Sequence, residues 1–183
     1  GNFIIAIDLK SAKEVWRFYT IARPDEFGGN SWNGLDLEER TGGSVWTPGS
    51  YDKETNLLYF GPAPSYDTVA MRKANNIPGV TSDALYTNAT VALDADTGEL
   101  AWHYQHVKND LLDLDWAFER QIMELTVNGE IRKVILTGGK AAIFEAMDAS
   151  TGEYLFSIDM DMQNVFSEID PRTGEKTMFP EAV

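Results

Sequence analysis

The sequence of 183 residues contains no cysteine, which excludes disulfide bonds, thiolate zinc sites and a cysteine nucleophile. Basic residues are also scarce: 15 Lys and Arg stand against 29 Asp and Glu, giving a formal net charge of −14 at pH 7. A surface of that sign repels nucleic acid and anionic membranes, so we expect neither as a partner. No apolar run approaches the roughly 20 residues of a membrane-spanning helix.

One pattern, Ala-x-Asp-x-x-Thr/Ser-Gly/Ala-x-x-x-Trp/Phe, occurs three times, at Ala6–Trp16, Ala92–Trp102 and Ala146–Phe156. A strand-like run precedes each copy, and the Asp, Thr and Gly of the pattern supply the chemistry of a tight turn. Each copy is therefore predicted to be a β-hairpin, and their recurrence indicates a repeat architecture. The chain opens on the first repeat without the basic leader of a signal peptide, so we expect it to be a piece of a longer protein.

The rest of the sequence also predicts strands and no confident helix. Asn128-Gly129 is a strong hairpin signal. The repeat aspartates Asp8, Asp94 and Asp148 are 86 and 54 residues apart, which fits propeller blades of about 40 to 50 residues with insertions. Long loops are expected at about 23–43 and 62–83. Further strands are predicted at Ser44–Trp46, Asn56–Phe60, Ile122–Val127 and Arg132–Thr137.

The repeat resembles the tryptophan-docking repeat of pyrroloquinoline-quinone (PQQ)-dependent alcohol dehydrogenases, a family that includes methanol dehydrogenases and folds as an eight-bladed β-propeller. In that family the repeat tryptophan packs against the turn glycine of a neighbouring blade. The resemblance implies an all-β fold, in which residues 1–183 form a single partial β-propeller of about three four-stranded blades.

Three segments between the repeats are similar to the quinone site of the family. In Gly42–Gly61, the resemblance implies that Trp46 lies beneath the cofactor as its floor. In Tyr104–Asp115, which resembles a stretch ending in His-Asp-x-Trp-Asp, Asp113 is implied as the catalytic base and a metal ligand, and Asp115 as the additional metal ligand of lanthanide-using members. Leu136–Asp148 is similar to the segment whose Lys or Arg lies near the reactive oxygens, so Lys140 is implied as a catalytic and cofactor-binding residue.

The match departs from the family at several positions. Pro64 stands where the family has an asparagine ligand to the metal, so Ser65 or Asp67 would have to replace that ligand. Asn109 and Leu112 replace the usual His and Trp beside Asp113. The glutamate ligand of the family belongs to a segment before Gly1.

The resemblance implies oxidation of an alcohol or sugar hydroxyl by hydride transfer to PQQ, with Ca²⁺ or a lanthanide, in the periplasm. We expect the isolated chain to be inactive and its open blade edges to permit self-association. One alternative is a non-catalytic propeller scaffold with a decayed cofactor site. A weaker one is a hydrolase that uses Asp113 and Glu119 as its carboxylate pair. The two histidines, His103 and His106, are expected in surface or hinge roles.

Overall fold

The computed structural model describes residues 2–66 and 69–182, which form twelve strands in four antiparallel sheets. In each sheet, hydrogen-bonded neighbours also follow one another along the chain. Besides the strands there are three short 3-10 helices, Leu37–Glu39, Val69–Met71 and Pro180–Ala182. The strands are β1 (Phe3–Ile7), β2 (Glu14–Tyr19), β3 (Ser50–Asp52), β4 (Leu57–Phe60), β5 (Ala89–Asp94), β6 (Leu100–Gln105), β7 (Gln121–Val127), β8 (Glu130–Gly138), β9 (Ile143–Asp148), β10 (Tyr154–Asp159), β11 (Phe166–Ile169) and β12 (Lys176–Met178).

The predicted all-β architecture is confirmed. The twelve strands equal three four-stranded blades in number, but they are divided into sheets of two, four, four and two. In chain order, the four-stranded sheets β3–β6 and β7–β10 come between the two-stranded sheets β1–β2 and β11–β12. The hairpin predicted at Asn128-Gly129 joins β7 to β8, where Val127 pairs with Glu130. Both turn residues have positive φ, 53° and 86°, as a two-residue hairpin turn requires.

The repeat turns owe their shape to the aspartate side chain. In the third copy, Oδ1 of Asp148 accepts hydrogen bonds from the backbone N–H of Ser150 and Thr151, at 2.9 and 3.1 Å. The chain then reverses at Gly152, where φ is 73°. Asp94 makes the same bonds in the second copy, so a short local pattern is sufficient to form this turn.

Two tryptophans join neighbouring sheets as the resemblance implied. Trp102, on the outer strand of the second sheet, lies against Gly152 of the third sheet and donates its Nε1–H to the carbonyl oxygen of Ala149 at 3.0 Å. Trp16 makes the equivalent bond from the first sheet to Ala95 of the second, also at 3.0 Å. Each tryptophan therefore combines packing with a directional bond between sheets.

Replacing Gly152 with alanine should lower the free energy of unfolding by about 2–4 kcal/mol, because it adds left-handed backbone strain and overpacking. An added Cβ would lie 2.5 Å from the Trp102 ring. Gly129→Ala is the matched control, since φ is also positive there and nothing lies within 4 Å of the added Cβ. Urea denaturation measures both variants. Equal losses would contradict the close packing of the Trp102 ring on Gly152.

A fourth turn of the same construction, at Asp170–Gly174, was missed in the sequence. Asp170 Oδ1 accepts the N–H of Arg172 and of Thr173 at 2.7 and 3.2 Å. Gly174 has a φ of 72° and lies against the ring of Tyr154. Neither Trp nor Phe follows at the repeat spacing, which made this copy hard to recognise.

The strand predicted at Ser44–Trp46 is wrong, because this segment belongs to no sheet. It runs beside residues 62–64, and two backbone bonds cross between them: Ala63 N–H to Ser44 O at 2.8 Å and Gly43 N–H to Pro64 O at 3.1 Å. Pro62 and Pro64 have no N–H to donate, so the ladder cannot extend.

Candidate functional site

The loop between β6 and β7 contains three aspartates in different environments. Asp110 is buried, Asp113 is exposed, and the side chain of Asp115 is only 12% exposed. Asp113 and Asp115 both have left-handed backbones, with φ of 58° and 44°. This conformation is uncommon outside glycine and is tolerated best by Asp and Asn. The loop is therefore not a simple solvated acidic turn.

Lys140 draws the two aspartates together. Its Nζ lies 2.8 Å from Oδ2 of Asp113 and 2.7 Å from Oδ2 of Asp115. The hydrogen bonds to Asp113 and then to Asp115 raise the pKa of Lys140. The Lys140 backbone N–H also donates to the carbonyl oxygen of Leu114 at 2.8 Å. Three predicted site residues, Asp113, Asp115 and Lys140, are therefore in contact, although 27 residues separate Asp113 from Lys140.

Trp46 is the fourth predicted site residue, and its side chain is exposed at the surface. Among the five tryptophans it alone is exposed, at 55%. Its ring meets Phe118 edge to face, with centroids 5.5 Å apart. Thr47, the next residue, donates its hydroxyl to the carbonyl oxygen of Ala117. Residues 113–118 consequently connect the tryptophan segment with the Asp113, Asp115 and Lys140 cluster.

A groove of about 310 Å³ borders this region. Its lining includes Phe118, which contacts Trp46, and Gly139, which precedes Lys140 in the sequence. Glu119 also lines the groove, whereas Asp113 is not part of the lining and is paired with Lys140. This arrangement gives no support to a hydrolytic pair of Asp113 and Glu119.

Two of the positions that depart from the family pattern, Pro64 and Asn109, form hydrogen bonds with other segments of the chain. Pro64 is buried and accepts the Gly43 N–H through its carbonyl oxygen. Asn109 donates its side-chain amide to the carbonyl oxygen of Met71 at 3.2 Å. Leu112 is 40% exposed beside Asp113. Asp67 lies outside the described residues.

A buried chain of hydrogen bonds behind the candidate site was not foreseen. Lys176 Nζ lies 2.7 Å from Glu145 Oε1, and Glu145 Oε2 lies 2.7 Å from His106 Nδ1. His106 Nε2 is 2.8 Å from Thr90 Oγ1, which accepts a bond from Arg120 Nε at 3.1 Å. The side chains of all five residues are buried, so the expected surface position of His106 is wrong.

The carboxylate determines the proton positions in this chain. Burial raises the pKa of Glu145, but the charge of Lys176 and the hydrogen bonds from His106 and Lys176 outweigh it and hold that pKa below its ordinary value. An ionised Glu145 can only accept, so His106 carries its proton on Nδ1 and Nε2 accepts from the Thr90 hydroxyl. Burial lowers the pKa of His106 to about 4, against the opposing effect of Glu145. The imidazole is therefore neutral at pH 7.

We expect acidification to destabilise the protein through His106. In the unfolded chain the histidine pKa is about 6.5, so between pH 6.5 and about 4 the unfolded state binds a proton that the folded state excludes. The free energy of unfolding should fall as pH drops through this window, by up to about 3 kcal/mol.

Urea denaturation at several pH values tests this expectation against His106→Gln, whose profile should be shallower. Burial lowers the pKa of His103 as well, so the difference between the two profiles isolates His106. Parallel profiles would contradict the assignment.

Among the described residues, no group of three or more His, Asp or Glu side chains could hold a metal ion by itself. Asp113 and Asp115 are thus at most part of a ligand set. No helix within the described ranges is long and apolar enough to cross a membrane.

Comparisons of the chain with known proteins agree on one family. The model of the PQQ glucose/ethanol/alcohol dehydrogenase β-propeller domain matches residues 2–174. The chain is 31% identical to quinohemoprotein alcohol dehydrogenase ADH-IIG of Pseudomonas putida, over 94% of the chain and 25% of that protein. It is 32% identical to lupanine 17-hydroxylase [cytochrome c] of a Pseudomonas species, over 92% of the chain and 25% of that protein.

The solved structure of ADHIIG from Pseudomonas putida HK5 superposes with a TM-score of 0.86. That match has 31% identity and covers 98% of this chain and 27% of the solved chain. The chain therefore spans about a quarter of the length of the curated relatives it matches. It belongs to the family of PQQ-dependent glucose, ethanol and alcohol dehydrogenases, and its fold is an open part of their β-propeller domain.

Proposed function

We propose that this chain supplies part of the active site of a quinoprotein dehydrogenase. The reaction is oxidation of an alcohol or sugar hydroxyl by hydride transfer to PQQ, assisted by Ca²⁺ or a lanthanide. The convergence of Asp113 and Asp115 on the Lys140 ammonium is the observation that carries the proposal. The alcohol-oxidising relatives support the reaction class.

The residues present fit such groups as one portion of a site. Two carboxylate oxygens lie within 2.8 Å of one cationic centre, and carboxylate oxygens are the ligands that Ca²⁺ and lanthanides prefer. The exposed indole of Trp46 offers a flat surface to a large planar ring. Asp113 and Asp115 would hold the metal ion, and Trp46 and Lys140 would contact the quinone.

Each side chain has a separate task in this proposal. Asp113, whose side chain is 75% exposed, takes the proton from the substrate hydroxyl as its general base. Lys140 stabilises negative charge on the quinone oxygens. Asp115, held by the same lysine, adds a carboxylate to the metal site. When bound, the quinone would supply the hydride acceptor, and the metal ion would supply a Lewis acid for the quinone carbonyl.

We expect the isolated chain to bind quinone but not to oxidise alcohols, since it supplies only some of the ligands. In a titration with PQQ and Ca²⁺ or La³⁺, quenching of tryptophan fluorescence should saturate. The Trp46→Phe variant should lose that quenching, because the other four tryptophans are buried. Dye-coupled alcohol oxidation by the isolated chain would refute its predicted inactivity, and quenching unchanged in Trp46→Phe would remove Trp46 from the cofactor site.

A chimera extends the test to turnover. This chain replaces the matched quarter of Pseudomonas putida ADH-IIG, for which the superposition is close. The chimera should oxidise alcohols with quinone and metal present.

The second candidate function is a non-catalytic propeller scaffold. Pro64 favours it, because its side chain cannot ligate the metal and its carbonyl oxygen is already bonded to Gly43. A folded chimera without quinone binding would support this alternative.

The proposal also includes a cellular location for the protein and its self-association. A periplasmic location follows from the family resemblance, and self-association follows from the open edges of the incomplete propeller. The solution mass of the chain tests self-association directly. A monomer at all concentrations would exclude it.

A further inference from the structure

Two buried side chains, Asn88 and Asp110, bind the backbone of the loop that contains Asp113 and Asp115. Asn88 is fully buried and Asp110 is 2% exposed. Asn88 Nδ2 donates to Asp110 Oδ2 at 2.6 Å, so the two side chains form one unit. They lie on different segments, 22 residues apart.

This pair accepts hydrogen bonds from three alternate backbone N–H groups of the loop. Asp110 accepts the N–H of Leu112 through Oδ1 at 2.8 Å and that of Leu114 through Oδ2 at 2.6 Å. Asn88 Oδ1 accepts the N–H of Trp116 at 3.0 Å. The backbone N–H groups of three alternate residues are thereby bound by buried side chains.

The residues between them are the two aspartates of the proposed site. Both have left-handed backbones, a conformation that is unfavourable for non-glycine residues and persists only when surrounding contacts impose it. The bonds on either side of each aspartate supply such contacts. The Leu114 carbonyl, which accepts the Lys140 N–H, fixes the loop to the lysine as well.

We propose that Asn88 and Asp110 are positioning residues, which impose the loop conformation that brings Asp113 and Asp115 together at Lys140. The inference rests on the proposed function for the catalytic meaning of those carboxylates. Neither residue touches substrate or cofactor in this proposal.

Backbone NMR of the chain tests the proposal without any quinone. Asp113 and Asp115 should show the strong intraresidue HN–Hα contacts of positive φ, and the amides of Leu112, Leu114 and Trp116 should exchange slowly. In Asp110→Asn the positive-φ signature should disappear and these amides should exchange at least tenfold faster. Asp94→Asn is the matched control, because Asp94 also accepts two backbone N–H bonds, in a distant turn.

A folded Asp110→Asn protein that keeps both signatures would overturn the proposal. If that variant does not fold, Asn88→Ala keeps the carboxylate and should release Trp116 first. Should both variants fail to fold, the wild-type spectrum decides, since negative φ at Asp113 and Asp115 would contradict the inference.

Turnover separates this inference from the proposed function. In the chimera, Asn88→Ala should lower kcat at least tenfold with KM nearly unchanged, since the base is displaced while the rest of the pocket is intact. An unchanged kcat in an active chimera would overturn the catalytic meaning of the pair. An inactive chimera whose loop keeps the expected NMR signatures would refute the proposed function and leave the positioning role intact.

Discussion

Replacing Arg120 with methionine should lower the free energy of unfolding by about 3–5 kcal/mol, because buried acceptors lose their donor. The guanidinium donates to Thr90 Oγ1 at 3.1 Å and to the carbonyl oxygens of Ala89 and Trp116 at 2.8 and 2.6 Å. It also donates to the Phe118 carbonyl. Burial lowers the pKa of Arg120 to about 9, so it stays charged at neutral pH. Urea denaturation followed by fluorescence measures the loss.

Two further variants sharpen that experiment. Arg17→Met removes an exposed arginine that pairs with Glu14, and it should leave the denaturation midpoint nearly unchanged. Gly61→Ala should resemble Arg120→Met, because an added Cβ would lie 1.8 Å from Nη1 of Arg120. If Arg120→Met were as stable as Arg17→Met, the buried guanidinium would not hold residues 116–120 to β5.

Replacing Asp113 with asparagine in the chimera should reduce kcat about 100-fold or more, the usual effect of losing a general base. Asparagine has nearly the same size, so the loop can keep its shape, but its amide cannot take up the substrate proton. Asp115 retains its contact with Lys140 at 2.7 Å. Steady-state kinetics with a dye acceptor gives kcat and KM separately.

The control for this variant is Asp96→Asn, the same substitution at an exposed turn aspartate that bonds to Asn56. It should leave kcat and KM unchanged. Equal turnover of the Asp113→Asn chimera and its parent would show that another group accepts the proton.

The sequence predicted the repeat turns and their tryptophan contacts well because their chemistry is local or recurrent. An aspartate at the start of a turn bonds to N–H groups two and three residues later, whatever the remainder of the chain does. The contact of Trp102 with Gly152 is long-range, yet it was implied because the resemblance supplied the pairing. The strand at Ser44–Trp46 failed because proline on the neighbouring segment interrupts the ladder.

The site was predictable only in part, because many of its contacts join residues that are far apart in the sequence. The resemblance singled out Asp113, Asp115 and Lys140, and the fold brings these three side chains together. The buried network depends on partners far apart in the chain: Glu145 bonds to His106 across 39 residues, and no local pattern marks the pair. A buried histidine and an exposed one look alike in sequence, since burial is decided by the sheets that pack around it.

The most direct test of the proposed function is dye-coupled alcohol oxidation by the chimera with PQQ and Ca²⁺ or La³⁺ added. The proposal predicts turnover that requires the quinone and falls about 100-fold or more in the Asp113→Asn variant. A folded chimera that binds the quinone but oxidises no alcohol, or one that is indifferent to Asp113, would contradict it.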